Sequence, residues 1–361
     1  MNLGQGFPDD PGPEDVRRKA ADEVMDGWNQ YPPMMGLPAL RKAIADHYGR
    51  FQGLSIDPDT ETMVTSGATE ALAAALFATI TPGDEVVLFQ PMYDAYLPLV
   101  LRAGGVPRFV NLRPPLWTFE REDLEAVFSP RTRAVVFNNP LNPSATVFPR
   151  EQIALLAEFC ERHNVIAISD EVWEHLIFDG RSHVSLLSDD RLRRRTIKIG
   201  SAGKIFSLTG WKVGLVVAAS DLLRVVAKAH QFLTFTTAPN LQAAVAYGLG
   251  KDDAYFHDMR AAYQRCRDRF TAGLVERGFD VMPSHGTYFV NVDISGFEMD
   301  DVTFCQQLVR EHGVATIPVS AFYAENANRS TVRFCFAKKD ETLDAALGRL
   351  DAAATDLKTR R

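Results

Sequence analysis

The sequence predicts an α/β protein: a large domain on a mostly parallel, seven-stranded sheet flanked by helices, with a smaller α+β domain beside it. Three observations carry this expectation. From about Glu61 to Ala219, short β-rich runs alternate with amphipathic helical runs, the pattern of βαβ units. Polar residues and glycines cluster where those runs end, and in open α/β sheets that edge binds ligands. After Pro239 the alternation stops, and a long helical stretch is followed by strands around a single helix.

Taken in order, strands are predicted over 62–65, 85–89, 106–111, 134–137, 165–169, 196–200 and 214–218. Helices are predicted over 69–80, 94–103, 122–128 and 151–163, each opened or closed by Gly, Pro, Ser or Thr. Residues 242–278 read as helical, and 281–333 as two or three strands around a helix over 301–312. The expected division is a large domain over 40–258 and a small domain made of 1–39 and 259–361. No internal repeat or low-complexity segment interrupts the chain.

Composition narrows the function. With 361 residues, 46% hydrophobic and 24% charged, the chain can bury a real core and is neither a disordered tail, a collagen nor a heptad rod. A formal net charge of −7, from 39 Lys+Arg against 46 Asp+Glu, argues against wholesale nucleic-acid binding. Cys160, Cys266, Cys305 and Cys335 are widely spaced, without C-x-x-C or histidines at zinc-ligand spacing, so no disulfide framework and no metal site is expected, and a reducing cytoplasm fits best. The first ten residues lack the basic and apolar regions of a signal peptide. The charge-free stretch 229–250 contains Gln231, Pro239, Asn240 and Gln242 and makes a poor membrane span.

The candidate chemistry lies at the strand ends. Ser66-Gly67-Ala68-Thr69-Glu70-Ala71 follows a strand and opens a helix, so it is either an anion cup of free backbone N–H groups or a plain turn capped near Thr69. Ser201-Ala202-Gly203-Lys204 also follows a strand. Its lysine is either a solvated surface cation or an amine nucleophile, and the P-loop pattern fails because Lys198 and Ile205 stand where Gly and Ser/Thr are required. Asp170-Glu171 ends another strand and matches no metallohydrolase motif; Asp170 either faces a heterocyclic nitrogen cation or caps a helix. Asn138-Asn139-Pro140-Leu141-Asn142-Pro143 is a stiff loop that aims amides over the sheet edge or simply turns, and Tyr93 and Tyr96 add aromatic faces there.

A phosphate cup, an aromatic plate, an amide, a carboxylate and an amine at successive strand ends suit pyridoxal phosphate. The ordered set Tyr31-Pro32-Pro33-Met34-Met35-Gly36, Ser66 to Ala71, Asn138 to Pro143, Ser169-Asp170-Glu171-Val172, Ser201 to Lys204 with Gly210-Trp211-Lys212-Val213-Gly214, and Val332-Arg333-Phe334-Cys335-Phe336 resembles the class I/II aminotransferases of pyridoxal phosphate fold type I. It is most similar to their kynurenine, glutamine and methionine branch, and the resemblance runs from Asn2 to about Leu350.

The resemblance implies that Lys204 is the Schiff-base lysine, that Asp170 pairs with the pyridinium nitrogen, that Asn142 bonds the ring hydroxyl oxygen and that Tyr93 stacks on the ring. Gly67, Ala68, Thr69, Ser201 and Lys212 would hold the phosphate, with Tyr31 reaching the phosphate of a neighbouring subunit in a homodimer. Arg333, helped by Gly6 and Asn142, would clamp the substrate α-carboxylate, and Phe235 within 232–236 would line the side-chain pocket. Trp173 stands where the family has a Tyr donating to the ring hydroxyl oxygen. Relatives carry a helical arm ahead of the segment at which this chain begins, so one pocket wall is expected to differ.

The implied activity is transfer of an amino group from a neutral, aromatic or sulfur-containing amino acid to a 2-oxo acid by a ping-pong cycle, without nucleic acid or membrane partners. Two rivals are a pyridoxal phosphate dependent C–S β-lyase acting on cysteine conjugates and a ligand-sensing regulatory module. The second is disfavoured, because the chain has no N-terminal helix-turn-helix and no basic block beyond residues 191–195.

Overall fold

The computed structural model describes residues 1–359. Strands β1 (Thr62–Thr65), β2 (Glu85–Gln90), β3 (Val106–Asn111), β4 (Thr132–Asn138), β5 (Ile166–Asp170), β6 (Thr196–Ser201) and β7 (Gly214–Ala218) form one sheet in the order β1-β7-β6-β5-β4-β2-β3. β7 runs antiparallel to both β1 and β6, and the pairings from β6 across to β3 are parallel. Successive side chains point to opposite faces, and both faces are covered. Val86, Leu88, Val136, Ile168 and Ile197 pack under the helices Ala68–Thr79 and Ser220–Leu233. Val87, Phe89, Val135, Phe137 and Ala167 pack under Leu156 and Phe159 of the helix Arg150–Arg162. The strands therefore read as mostly apolar runs, broken in β6 by Lys198, and polar side chains collect at their C-terminal tips.

A second, antiparallel sheet contains β8 (Asp280–Val281), β9 (Phe289–Asp293), β10 (Ile317–Pro318) and β11 (Thr331–Cys335) in the order β10-β11-β9-β8. It has four strands where two or three were expected, because β8 and β10 are two residues each and too short to show alternation. Phe304 and Leu308 of the helix Asp301–His312 and Leu343, Leu347 and Leu350 of the helix Asp340–Thr359 close its core over Val290, Val292, Val332 and Phe334.

The chain divides less cleanly than the expected boundaries. The helical stretch breaks at Gly250 into Pro239–Leu249 and Asp253–Glu276. The second of these carries Phe256 in the large-sheet core and Phe270 and Leu274 in the small-sheet core, so residue 258 falls inside one rigid rod. Residues 1–39 also split. Leu3 joins the small core, donating to the Ala315 carbonyl at 3.0 Å and accepting from Cys335 at 2.7 Å. The helix Glu14–Asp26 instead lays Val16 and Ala20, one helical turn apart, on Leu40, Ala244 and Leu249 of the large body. Among the described residues no helix is long and apolar enough to cross a membrane.

Candidate active site

The strand ends of the large sheet and the rim of the small one enclose a cavity of about 480 Å3. β5 delivers Asp170 to its floor. The carboxylate is buried, with Oδ2 accepting from the Tyr96 hydroxyl at 2.6 Å and Oδ1 from the Val172 N–H at 3.3 Å. Burial pushes Asp170 up to about 6, although Tyr96, Val172 and the charge of Lys204 all pull downward. Behind it the Asn138 amide donates to the Asp170 carbonyl at 2.8 Å and accepts the Asn142 N–H at 2.8 Å, which ties the Asn-Pro loop to the end of β5.

β6 ends at Ser201, and the short helix Ala202–Ile205 turns Lys204 inward. Its Nζ donates to the Tyr288 hydroxyl at 3.0 Å and to the Gly6 carbonyl at 3.5 Å, and lies 4.7 Å from the centre of the Trp173 ring. Burial lowers this amine to about 8; Cys335 and Asp170 oppose the shift, while Arg333 and Lys212 add to it. Gly67, at φ +84°, opens the helix Ala68–Thr79, and a side chain on it would meet Lys212 Cε at 3.0 Å. The helix N-terminus, the Lys212 ammonium and the side chains of Ser201 and Thr209 thus border one small polar recess suited to an anion.

Opposite, β11 carries Arg333. Its Nη1 donates to Asn142 Oδ1 at 2.7 Å, its Nη2 to the Gly4 carbonyl at 3.0 Å, and its Nε is buried without a partner. The guanidinium lies 3.9 Å from the Phe289 ring centre and 4.8 Å from that of Phe322. Burial lowers its pKa to about 10, so it remains a cation at neutral pH.

Of the residues singled out in the sequence, Gly6, Gly67, Ala68, Thr69, Tyr93, Asn142, Asp170, Trp173, Ser201, Lys204, Lys212 and Arg333 line this cavity. Asn142 is partly committed: its oxygen accepts from Arg333, which leaves its NH2 group and a second lone pair for a ligand. Phe235 does not line the cavity, contrary to expectation. The Thr234 and Phe235 N–H groups both close on the His230 carbonyl, Phe235 at φ +66° is 39% exposed, and Phe232 is 86% exposed. Tyr31 lies outside as well, edge-on to Phe235 at 5.7 Å and 81% exposed. Sequence reading missed Tyr288 altogether and saw Tyr96 only as an aromatic surface. Nothing in Thr287-Tyr288-Phe289 distinguishes a buried hydroxyl from core packing.

The class I and II aminotransferase family model matches residues 1–350. The chain belongs to the class I and II aminotransferases. This aminotransferase is 42% identical over 351 residues to methionine aminotransferase of Escherichia coli strain K12, covering 97% of this chain and 91% of that protein. It is 36% identical over 381 residues to Homo sapiens kynurenine–oxoglutarate transaminase 1, covering 96% and 90%. The solved structure of N-succinyldiaminopimelate aminotransferase from Mycobacterium tuberculosis superposes with a TM-score of 0.95 at 42% identity, covering 97% of this chain and 92% of that one. The seven-stranded sheet is accordingly that of aminotransferase fold type I.

Members of this family depend on pyridoxal phosphate, and the residues of this aminotransferase fit that group. Its recess for an anion is cationic and backed by a glycine where a Cβ would crowd Lys212. A buried carboxylate, a lysine amine and the Tyr93 ring line the same cavity, which also meets Arg333, whose Nε has no partner.

Proposed function

We propose that this aminotransferase carries pyridoxal phosphate on Lys204 and passes the amino group of neutral, medium to large L-amino acids to a 2-oxo acid in a ping-pong cycle. The observation that carries this reading is the meeting of Lys204, Asp170 and Arg333 in one cavity whose cations are otherwise accounted for. When bound, pyridoxal phosphate supplies an electron-accepting ring and carries the amino group between the half-reactions.

The protein's own residues do the rest. Lys212, Ser201 and the backbone of Gly67, Ala68 and Thr69 hold the phosphate. Asp170 holds a proton on the ring nitrogen, and a cation beside it favours its carboxylate form. Arg333, oriented by Asn142 and Gly4, takes the α-carboxylate through the edge that includes its unpartnered Nε. Lys204, poised near 8, would take the proton from the substrate α-carbon and return it to the carbon on the other side of the transferred nitrogen.

Side-chain preference follows from the walls. The cavity cations are Lys204, Lys212 and Arg333, each with a task, and Trp173, Phe289, Ile317 and Phe322 supply apolar surface. Burying an unpaired carboxylate there costs several kcal/mol, whereas a thioether or aromatic side chain gains roughly 1.5–3 kcal/mol. The names of the methionine and kynurenine relatives point the same way. Stopped-flow half-reactions with methionine and aspartate test this; aspartate reacting as fast as methionine overturns the preference while leaving transamination intact.

The proposal includes a homodimer. Trp28, Tyr31 and Phe232 are 75%, 81% and 86% exposed, large rings that a partner subunit could cover. In an isologous pair Tyr31 would serve the neighbouring phosphate.

A further inference from the structure

Resting on that reading, we infer that Tyr288 is a further catalytic residue: its hydroxyl oxygen receives the Lys204 amine whenever that amine is free, and leaves the amine's lone pair available to act as base. The argument is one of donors and acceptors. A tyrosine hydroxyl has a single O–H, and that of Tyr288 is committed to the Gly6 carbonyl. Toward Lys204 Nζ, 3.0 Å away, Tyr288 therefore presents only lone pairs. A neutral Lys204 donates one N–H to it and keeps its own lone pair for the substrate; a Lys204 that has taken the α-proton donates to Tyr288 and to the Gly6 carbonyl together.

The hydroxyl is held rigidly. Tyr288 is 1% exposed, edge-on to Trp173 at 4.4 Å and to Phe289 at 4.9 Å. Its carbonyl accepts the Phe336 N–H at 3.0 Å, which anchors it to the segment that follows Arg333 on β11. Burial keeps the phenol protonated far above neutral pH, so the acceptor geometry persists through the working range. The charged and titratable groups facing Lys204 from the surrounding elements are Asp170, Lys212, Arg333 and Cys335, while Nζ itself hydrogen-bonds to Tyr288 and the Gly6 carbonyl. Trp173 presents a ring face and not a hydroxyl oxygen to the amine.

Tyr288→Phe deletes the oxygen and keeps the ring. In the full-length loaded enzyme we expect kcat to fall about tenfold with KM for methionine changed less than twofold, and the isotope effect on α-deuterated methionine to rise. In the cofactor-free full chain, competitive acetylation of Lys204 against pH should show its midpoint moved down, since the ammonium has lost an acceptor. The control is Tyr263→Phe, which removes a hydroxyl bonded to Ser207 at 2.9 Å and not to Lys204, and should leave the midpoint in place. A rise in KM alone, or an unmoved midpoint, overturns the assignment and reduces Tyr288 to an anchor for Gly6. Were Tyr288→Phe to misfold, 3-fluorotyrosine at 288, a weaker acceptor, should move the midpoint in the same direction by less, and no movement overturns the assignment. Failure of the aminotransferase reading would show separately, as a wild type that converts no amino acid.

Discussion

Lys198 and Lys204 sit on one strand-to-helix unit, both withdrawn from water, and have opposite fates. Lys198 Nζ, on β6, is fully buried and lies 2.6 Å from both Glu171 and Glu174. Burial alone would lower its pKa, but the two carboxylates raise it instead. Lys204, past the end of β6, has neutral oxygens and an aromatic face for neighbours, and burial wins. The carboxylates that close β5 repeat the contrast. Asp170 faces the cavity and is pushed up to about 6, whereas Glu171, one residue on, faces Lys198 and His183 and stays well below the usual range despite equal burial. At the end of β5 adjacent carboxylates thus go opposite ways, Asp170 to the cavity and Glu171 to a closed ionic cluster, while Lys198 reaches that cluster from within β6 and Lys204 reaches the cavity from the helix beyond its end. Glu171, Glu174 and His183 lie close enough together to hold a metal ion, yet the Lys198 ammonium already satisfies both carboxylates. What separates a reactive group from a structural one here is the partner and not the depth.

The contrast can be broken from either side. The largest expected effect is on turnover: Lys204→Met should reduce the half-reaction rate by several orders of magnitude, because base and attachment point vanish together. A rate within tenfold of wild type would remove Lys204 from the chemistry.

The next effect belongs to Lys198. Lys198→Met strands two buried carboxylates, and urea unfolding should show a loss of about 3–5 kcal/mol. A loss below about 1 kcal/mol would mean that the cluster is solvated or redundant.

The smallest effect has the opposite sign. Lys204 falls from 10.5 to about 8 on folding, so its charged form is disfavoured in the folded state. The cost is fully present below about pH 8 and fades as pH rises toward 10.5, and at about 1.36 kcal/mol per unit it amounts to roughly 3 kcal/mol at most. In the cofactor-free chain Lys204→Met should therefore be more stable than wild type at pH 7 by up to that amount, with the difference gone near pH 10.5. Equal stability at both pH values would show that burial does not set the Lys204 pKa.

Much of this was legible beforehand. The runs that became β1, β3 and β7 were bounded to the residue, because each is closed by glycine or a polar turn; β1 and β7 are also buried throughout, whereas β3 is a partly exposed edge strand. The cavity side of the contrast was legible too, since Asp170, Asn142 and Lys204 all follow apolar strands and the ends of parallel strands converge. Its other half was not. Lys198 interrupts the apolar strand Thr196-Ile197-Lys198-Ile199, and a lysine in such a run signals a buried partner, but its partners come from the turn after β5. Tyr288 and Phe235 failed for a related reason: a hydroxyl's partner across the lobes and a ring left partly exposed at a positive φ are tertiary facts.

The central claim is that this fold makes Lys204, and not its buried neighbour Lys198, the attachment point of an aminotransferase. Borohydride reduction of the full-length protein in the presence of pyridoxal phosphate, followed by peptide mass mapping, tests it directly. The account predicts a phosphopyridoxyl group on Lys204 alone, with Lys198 unmodified; modification of Lys198 or Lys212 in its place, or none at any lysine, would contradict it.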